Sequence, residues 1–327
     1  MRRLLFAVAL GAALTAAAEP IHLDAPLTRL SDKTVIVESS GDPSFGVAYA
    51  AEAVAKVEMT GGAVHVRNGN MQVAGYGKGV LEQRGGTVTV ANWCVIGRWK
   101  GANGTYILSG GTFNQWLSGF GWVIGEEGDG TVIVQDEGTA NLSGGLWLSG
   151  GKGGGSGHAL VALRKGGVIN TPLVGTLSGN HSRFEFDGGI LRVRGNGRNL
   201  PSFMQGLNEA VILPGGAIID TGDNVVTIQQ PLTGEGGMVK RGSGTLILAG
   251  TNRYGGKTVV EEGMLCFSGG ESLPAGTVFE VRRGGKVDFG GRRIDAARIT
   301  GEGVIANVLL VQGEKVRRVV LASLENE

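Results

Sequence analysis

The sequence contains few cysteine, proline, histidine and aromatic residues. Its 327 residues include 2 cysteines, 8 prolines and 4 histidines, and aromatic side chains make up 6% of the chain. Two cysteines are too few for a disulfide framework, and the histidines lack the spacing of a zinc site, so we expect neither a metal nor a cofactor. The 30 basic and 29 acidic residues are interspersed, which predicts no nucleic-acid partner.

Glycine is abundant instead. The chain contains 61 glycines and 42% hydrophobic residues. The glycines follow no Gly-X-Y period, which excludes collagen, and the hydrophobic content excludes a disordered linker. Because glycine adopts tight turns at little steric cost, the composition predicts many short strands joined by such turns.

The N-terminus has the pattern of a secretory signal peptide. Arg2 and Arg3 precede an apolar run from Leu4 to Leu14, and small residues follow up to Ala18. The run is too short to span a bilayer as a helix, and no later stretch is apolar for long enough to form a transmembrane helix. We therefore predict cleavage near Ala18 and export of the mature chain.

The stretch Gly242–Phe267 contains the clearest copy of a structural unit. Its pattern predicts three short strands separated by glycine turns, in the sequence GSGTLILAGTNRYGGKTVVEEGMLCF. Strand side chains alternate between two faces, so six of them can share one interior while Ile247, Val259 and Met264 face outward. The six inward residues are Leu246, Leu248, Thr258, Val260, Leu265 and Phe267. One unit cannot bury this interior alone but stacked copies can, which predicts a solenoid.

This unit resembles the autotransporter-associated β-strand repeat, also called the passenger-associated transport repeat. The pattern of that family is G-x-G-x-L-x-L-x-G-x-N-T-Y-T-G-G-T-T-V-x-x-G-T-L. The residues in register with it are Gly242, Gly244, Leu246, Leu248, Gly250, Asn252, Tyr254, Gly256, Thr258, Val260, Gly263 and Leu265. The sequence departs from the pattern at Arg253, Gly255, Lys257, Val259 and Met264. The best copy spans residues 239–267, and the resemblance implies a β-helical passenger-like extracellular protein.

Degenerate copies of the unit run along most of the chain. Alternating apolar residues, a glycine corner and a second alternating strand recur at unequal intervals of about 25 residues, as in the coils of a β-helix. The corner glycines are Gly62, Gly86, Gly111, Gly138, Gly167, Gly189, Gly216 and Gly285. We predict an all-β chain that forms a single-stranded right-handed parallel β-helix of roughly eleven coils. The pairs predicted to point inward are Val64 and Val66, Val132 and Val134, Val161 and Leu163, Phe184 and Phe186, Leu246 and Leu248, and Phe279 and Val281.

Three segments follow from this interpretation. Residues 1–18 are the signal peptide and residues 57–327 the β-helix domain. Residues 19–56, in which the strand pattern is weak, are predicted to form an N-terminal cap, since an open solenoid end exposes unpaired backbone groups.

The two cysteines, Cys94 and Cys266, are predicted to be unpaired. Export would permit a disulfide. However, coils of about 25 residues with strands stacked ~4.8 Å apart would place the two residues about seven coils, or roughly 30 Å, from each other. That separation is far too long for a disulfide.

A column of aromatic residues is predicted in the middle third of the chain. The segments NWCVIG, GWVIG and LWLSG end at Gly97, Gly125 and Gly150. Aligning these glycines predicts a file of stacked side chains on successive coils, namely Cys94, Trp122 and Trp147. One interpretation is simple aromatic packing. The alternative is a sugar-stacking platform of exposed, coplanar indole rings, with Trp99, Trp116, Trp122 and Trp147 as its members.

Acidic residues cluster at several places, and such clusters in parallel β-helices can bind calcium or act as acid and base. The clusters are Glu126-Glu127-Asp129, Asp136-Glu137, Asp220-Asp223 and Glu261-Glu262. Because they fall mostly in turns at different heights, we interpret them as solvated charges. A compact mixed-charge group, Glu185, Asp187, Arg192 and Arg194, is interpreted as a surface salt-bridge network, with a binding site as the alternative.

No catalytic, cofactor-binding or metal-binding residues are assigned from the sequence. The glycine run Ser149–Gly157 lacks the spacing of a phosphate loop, and no Gly-x-Ser-x-Gly elbow is present. The resemblance implies a secreted or surface-exposed, adhesin-like stalk without catalytic activity. It would be exported to the surface or outer membrane of a bacterium, where its partner would be a polysaccharide or the surface of a host or neighbouring cell.

Two alternatives to the stalk remain open at this point. The first is a secreted carbohydrate-active β-helix, which would be a polysaccharide lyase, a glycosidase or a sugar-binding protein. The second is a fragment or partner that lacks the translocator barrel of a true autotransporter. A long cleft with clustered carboxylates and exposed tryptophans would indicate the enzyme or lectin, whereas flat faces of mixed charge would indicate the stalk.

Overall fold

The structure, a computed structural model, describes residues 14–17, 19–32, 34–117, 119, 121–150, 157–177 and 181–324. Within them the chain forms β-strands and one short 3-10 helix, Ala296–Arg298. The fold is an all-β parallel solenoid of about eleven turns, which confirms the predicted fold class. Most of the predicted signal peptide and residues 151–156 of the glycine run lie outside the described residues. Among the described residues, no helix has the length and apolar character needed to cross a membrane.

The chain divides into two compact units, Met1–Phe184 and Glu185–Glu327. The strands of the first unit are β1 (Leu14–Ala17), β2 (Ile21–Leu23), β3 (Thr28–Leu30), β4 (Thr34–Val37), β5 (Phe45–Val47), β6 (Val54–Met59), β7 (Ala63–Val66), β8 (Met71–Val73), β9 (Lys78–Val90), β10 (Cys94–Ile96), β11 (Asn103–Gln115), β12 (Trp122–Ile124), β13 (Asp129–Val134), β14 (Thr139–Leu142), β15 (Leu146–Leu148), β16 (Ala159–Arg164), β17 (Val168–Thr171) and β18 (Val174–Gly175). The unit boundary falls within β19 (Ser182–Asp187).

The strands of the second unit follow in chain order. They are β20 (Ile190–Val193), β21 (Asn199–Met204), β22 (Glu209–Ile212), β23 (Ala217–Asp220), β24 (Val225–Ile228), β25 (Thr233–Gly234), β26 (Met238–Arg241), β27 (Thr245–Leu248), β28 (Arg253–Tyr254), β29 (Thr258–Phe267), β30 (Phe279–Asp295), β31 (Ile299–Gly301), β32 (Val304–Gln312) and β33 (Lys315–Ser323).

Each coil of the first unit contributes to three stacks of parallel strands. The first stack is β3, β6, β9, β11, β13 and β16. The second is β4, β7, β9, β11, β14 and β17. The third is β2, β5, β8, β10, β12, β15 and β18. Strands β9 and β11 appear in two stacks because each continues through the corner between them.

Apolar side chains that alternate along the strands fill the interior. Every pair predicted to point inward is buried, which confirms the assigned strand phase. In β13, for example, Val132 and Val134 are buried while Ile133 between them is half-buried. Burial of one such side chain contributes about 1.5–3 kcal/mol, so the stacked interior is a major source of stability.

Glycine corners let successive coils approach closely. Gly62, Gly86 and Gly111 have φ values of 72°, 75° and 76°, in the left-handed region. A Cβ atom on Gly86 would lie 2.5 Å from the carbonyl oxygen of Gly62, and one on Gly111 would lie 2.3 Å from that of Gly86. Both the backbone conformation and the close approach therefore require glycine at these predicted corners.

The second unit also consists of stacked parallel strands. One stack runs through β20, β23, β26, β29 and β30, another through β21, β24, β27, β29, β30 and β32, and the short strands β22, β25 and β28 form a third. The best repeat copy supplies β27, β28 and β29, and its six predicted inward side chains are buried. The last strand, β33, pairs antiparallel with β32, so the parallel pattern ends there.

The predicted N-terminal cap, residues 19–56, is not confirmed. Strands β2, β3 and β4 pair in parallel with β5, β6 and β7, so they already form a turn in register with the next one. These strands are only three or four residues long. Strands as short as β2 and β3 show too little alternation to be recognised in the sequence.

Candidate functional site

The candidate tryptophans lie in different environments. Trp122 is fully buried in the interior, where its ring centroid is 4.6 Å from that of Phe113. Trp147 and Trp99 are half-buried, and Trp116 is 60% exposed. Since Trp122 points inward, it cannot belong to a sugar-binding platform with the others.

The predicted file of stacked side chains is correct for two of its three members. Strands β10 and β12 pair Cys94 with Trp122, as predicted. Strands β12 and β15, however, pair Trp122 with Leu146, and they pair Trp147 with Val123. The prediction was wrong for Trp147, whose side chain lies on the outward face.

The error comes from the residue that forms the corner after β15. The corner positions with left-handed φ are Gly97 at 72° and Gly125 at 66°, and in the next coil both Ser149 at 59° and Gly150 at 84°. The pairing of β12 with β15 aligns Ser149, not Gly150, with Gly125. The Ser149 N–H donates to the carbonyl of Ile124, which fixes this alignment. Placing Gly150 at the corner instead shifts the strand by one residue, which moves every strand side chain to the opposite face.

Three aromatic rings, Tyr49, Tyr76 and Trp99, form a surface column that we call the aromatic column. They lie in the turns that follow β5, β8 and β10, so the stacking of coils brings them together. The ring centroids of Tyr49 and Tyr76 are 5.7 Å apart, and those of Tyr76 and Trp99 are 5.8 Å apart with planes inclined by 16°. Tyr76 is 43% exposed. The column therefore presents aromatic surface to solvent.

A group of polar side chains lies against the aromatic column. This Arg98 cluster consists of Asp42, Asn70, Gln72, Arg98 and Glu126. The Arg98 guanidinium carbon is 4.7 Å from the Trp99 ring centroid, a cation–π contact. Arg98 Nη1 donates to Asp42 Oδ1, which also accepts from Asn70 at 3.1 Å and Gln72 at 2.9 Å. Arg98 Nε lies 3.5 Å from Glu126 Oε2, so two carboxylates flank one guanidinium.

The electrostatics of the cluster keep its central pair charged. Burial acts to raise the pKa of Asp42, but hydrogen bonds and charge from Arg98, with hydrogen bonds from Asn70 and Gln72, lower it overall. Burial acts to lower the pKa of Arg98, but Asp42 and the charge of Glu126 raise it overall. The Asp42–Arg98 pair is therefore ionised at neutral pH.

Asp42→Asn should remove part of the acid sensitivity of the fold. The folded-state pKa of Asp42 is lowered, so its ionisation stabilises the protein above the unfolded-state pKa of about 3.9. This contribution is lost as the pH falls through the folded-state pKa. In thermal melts from about pH 6 to pH 3, the Tm gap between the parent and the variant should shrink with falling pH. A gap that does not change with pH would contradict the described contacts of Asp42.

The predicted acidic clusters each have their own partners. Glu126 faces Arg98, Asp129 Oδ1 lies 2.9 Å from His158 Nδ1, Asp136 accepts from Gln135, Asp223 accepts from the Gly197 N–H, and Glu261 accepts from Arg241 and Arg282. Most of these contacts are at the surface, where an ion pair contributes about 0–1 kcal/mol. They fit the interpretation as solvated charges better than that of an acid–base pair.

The predicted mixed-charge group is joined to one of these clusters. Strands β20 and β23 place Arg192 opposite Asp220, and Arg192 Nε donates to Asp220 Oδ2 at 2.9 Å. Asp187 Oδ1 accepts from the Gly215 N–H at 3.0 Å. Arg192 and Asp220 fall in separate groups in the sequence because the register between coils is not evident from it.

A buried lysine, Lys240, was not singled out from the sequence. Its Nζ donates to the carbonyl oxygens of Arg241, Gly242 and Glu262 at 3.1, 2.6 and 2.9 Å. Burial lowers the pKa of Lys240 to about 8, although Glu262 and Asp220 act to raise it. The signal in the sequence is alternation alone, since Lys240 follows the inward Met238 by two residues. At neutral pH its ammonium group satisfies corner carbonyls of two successive coils.

Lys240→Met should destabilise the protein by about 1–3 kcal/mol, because it removes the buried ammonium donor from three partly buried carbonyl groups. The matched control is Lys257→Met, which removes an exposed partner of Glu280 and should change stability by about 0.5 kcal/mol or less. Urea unfolding at neutral pH measures both. Equal stability of the two variants would show that the Lys240 contacts do not support the corner.

Both cysteines are free thiols. Burial raises the pKa of Cys94, and burial with the charge of Asp288 raises the pKa of Cys266 to about 11. Both thiols are therefore protonated at neutral pH and poorly nucleophilic. Across the described part of the chain, no group of three or more His, Cys, Asp or Glu side chains is arranged to hold a metal ion.

The fold is a parallel β-solenoid. Comparison with known protein families gives a match to one stretch of it. Residues 238–265 match the passenger-associated-transport-repeat family, which confirms the resemblance seen in the sequence. The repeat and the solenoid together indicate an autotransporter passenger-like structural domain. No curated protein and no solved structure matches the chain.

Proposed function

We propose that the protein is a surface-exposed, adhesive stalk of the passenger type that has no catalytic activity. The observation that carries this proposal is the passenger-associated transport repeat at residues 238–265, which forms regular coils of the solenoid. Each coil of such a stack is stabilised by its neighbours, which suits a domain exposed outside the cell.

The outward faces support a stalk, because they carry ladders of alternating charge. In the first unit the ladder consists of Arg29, Glu58, Lys56, Glu82 and Arg84. In the second unit it consists of Lys257, Glu280, Arg282, Glu261 and Arg241. A glycosidase or lyase needs carboxylates placed together around the substrate bond, whereas in these ladders each carboxylate is paired with a cation.

Surface exposure can be tested on intact cells of the producing organism. An antibody against residues 19–327 should label intact cells, external protease should remove the label, and deletion of the gene should reduce adhesion. Labelling that requires permeabilised cells would contradict the proposal.

A secreted carbohydrate-active protein is the second candidate function, and the aromatic column beside the carboxylates of Asp42 and Glu126 favours it. Incubation of the purified mature protein with a panel of polysaccharides separates the two candidates. The stalk should release no new reducing or unsaturated ends. Sustained release that Asp42→Asn or Glu126→Gln abolishes would establish the enzyme instead.

A further inference from the structure

We propose that the aromatic column and the Arg98 cluster together bind an uncharged polysaccharide built of hexopyranose rings. The inference rests on the adhesive part of the proposed function and assigns a surface to it. That surface lies wholly within the first unit and is built from the turns of successive coils.

The aromatic surface has a shape that fits pyranose rings. The rings of Tyr76 and Trp99 are nearly parallel and come from successive coils. Tyr76 is 43% exposed and Trp99 is half-buried. A pyranose ring has one face of C–H groups that can pack on such rings, while its hydroxyls point to the sides. Large, rigid aromatic side chains supply contact area at little cost in conformational entropy. The repeat of rings along the solenoid suits a polymer rather than a single sugar.

Polar groups beside the rings can meet the hydroxyl groups of a sugar. The Asp42 side chain is 45% exposed although it is held by three donors, so its carboxylate can also meet a ligand in solvent. Gln72 is fully buried, so it holds the Asp42 carboxylate in place through its Nε2 hydrogen bond and does not itself meet the ligand. An exposed carboxylate acceptor beside an aromatic platform matches the hydroxyl groups of a sugar.

Charge selects an uncharged polymer. The carboxylates of Asp42 and Glu126 flank the single guanidinium of Arg98, so these three groups carry an excess of one negative charge. A polymer of uronic acids would meet these carboxylates as like charges, and the Arg98 guanidinium between them is already engaged. A neutral hexopyranose meets no such repulsion.

The site is also preorganised. Arg98 contacts the Trp99 ring on one side and is fixed by Asp42 and Glu126. Trp99 in turn lies against Tyr76. Groups that are already held in place lose little entropy when a ligand binds.

The test is calorimetry and affinity electrophoresis of the mature full chain with laminarin, dextran and mannan, and with alginate and polygalacturonate as anionic polymers. At least one uncharged polymer should bind, and the anionic polymers should bind more weakly. Trp99→Ala and Tyr76→Ala should each lower the affinity by about tenfold or more, as expected for central aromatic contacts. Trp99→Phe should retain most of the binding, because it keeps a ring.

Trp116→Ala is the matched control, since Trp116 is exposed but does not belong to the aromatic column. It should bind as the parent does. Urea unfolding of every variant shows whether a loss of binding reflects unfolding, and Asp42→Asn gives a second, polar test at the cluster. The proposal is wrong if no uncharged polymer binds, or if folded Trp99→Ala and Tyr76→Ala variants bind like the parent. Such a failure would leave the cell-surface labelling result unchanged and so would not overturn the stalk.

Discussion

Val134→Asp should destabilise the protein by several kcal/mol, whereas Ile133→Asp should cost about 1 kcal/mol or less. Val134 is fully buried, so the variant places a carboxyl group in an apolar interior, where its pKa would rise until the group is neutral. Ile133 faces outward from the same strand, so its aspartate stays in contact with water. The adjacent, chemically similar parent residues make this a strict test of the strand phase.

Urea unfolding and limited proteolysis of the two variants beside the parent measure this difference. Each coil stabilises its neighbours, so Val134→Asp should also increase cleavage in β11 and β16, which flank β13. Equal stability, or a larger loss in Ile133→Asp, would show that the assigned strand phase is wrong.

Trp122→Ala should cost about 3–5 kcal/mol, the range for deleting a large buried aromatic side chain. The Trp122 ring is fully buried and packs against Phe113 and Tyr106, with centroid distances of 4.6 and 5.5 Å. The cavity would span the coils that hold these rings. Guanidinium unfolding followed by far-UV circular dichroism measures the loss.

The matched control for this deletion is Trp116→Ala. Trp116 is 60% exposed, so its removal should change stability by about 0.5 kcal/mol or less. If both variants lost the same stability, Trp122 would not occupy the interior position that the structure gives it.

Strand alternation and corner glycines were enough to predict the fold. The inward pairs depend on a period of two, and a pair such as Leu246 and Leu248 keeps that period whichever coil lies above it. The register between coils is harder to predict, because turns vary in length and a corner can be formed by a residue other than glycine. Ser149 is such a corner, and it accounts for the wrong alignment of Trp147.

The candidate site could be predicted only in part, because its members come from separate coils. Trp99 was a candidate in the sequence, but its neighbours Tyr49 and Tyr76 were not. Asp42 and Arg98 are 56 residues apart, and no local motif links them. Such a site depends on the sum of the intervening turn lengths, which the sequence does not specify.

Parallel, in-register stacking is the central claim, and one distance tests it directly. Lys56, Val80, Thr105, Thr131 and Leu160 are paired in sequence from β6 to β16. Lys56 and Leu160 should therefore be four strand spacings, or about 19 Å, apart despite their separation in the chain. Spin labels at these two positions should give one narrow distance distribution near that value, broadened by the label linkers. A mean well above about 30 Å, or a broad distribution that spans it, would contradict the stacked solenoid.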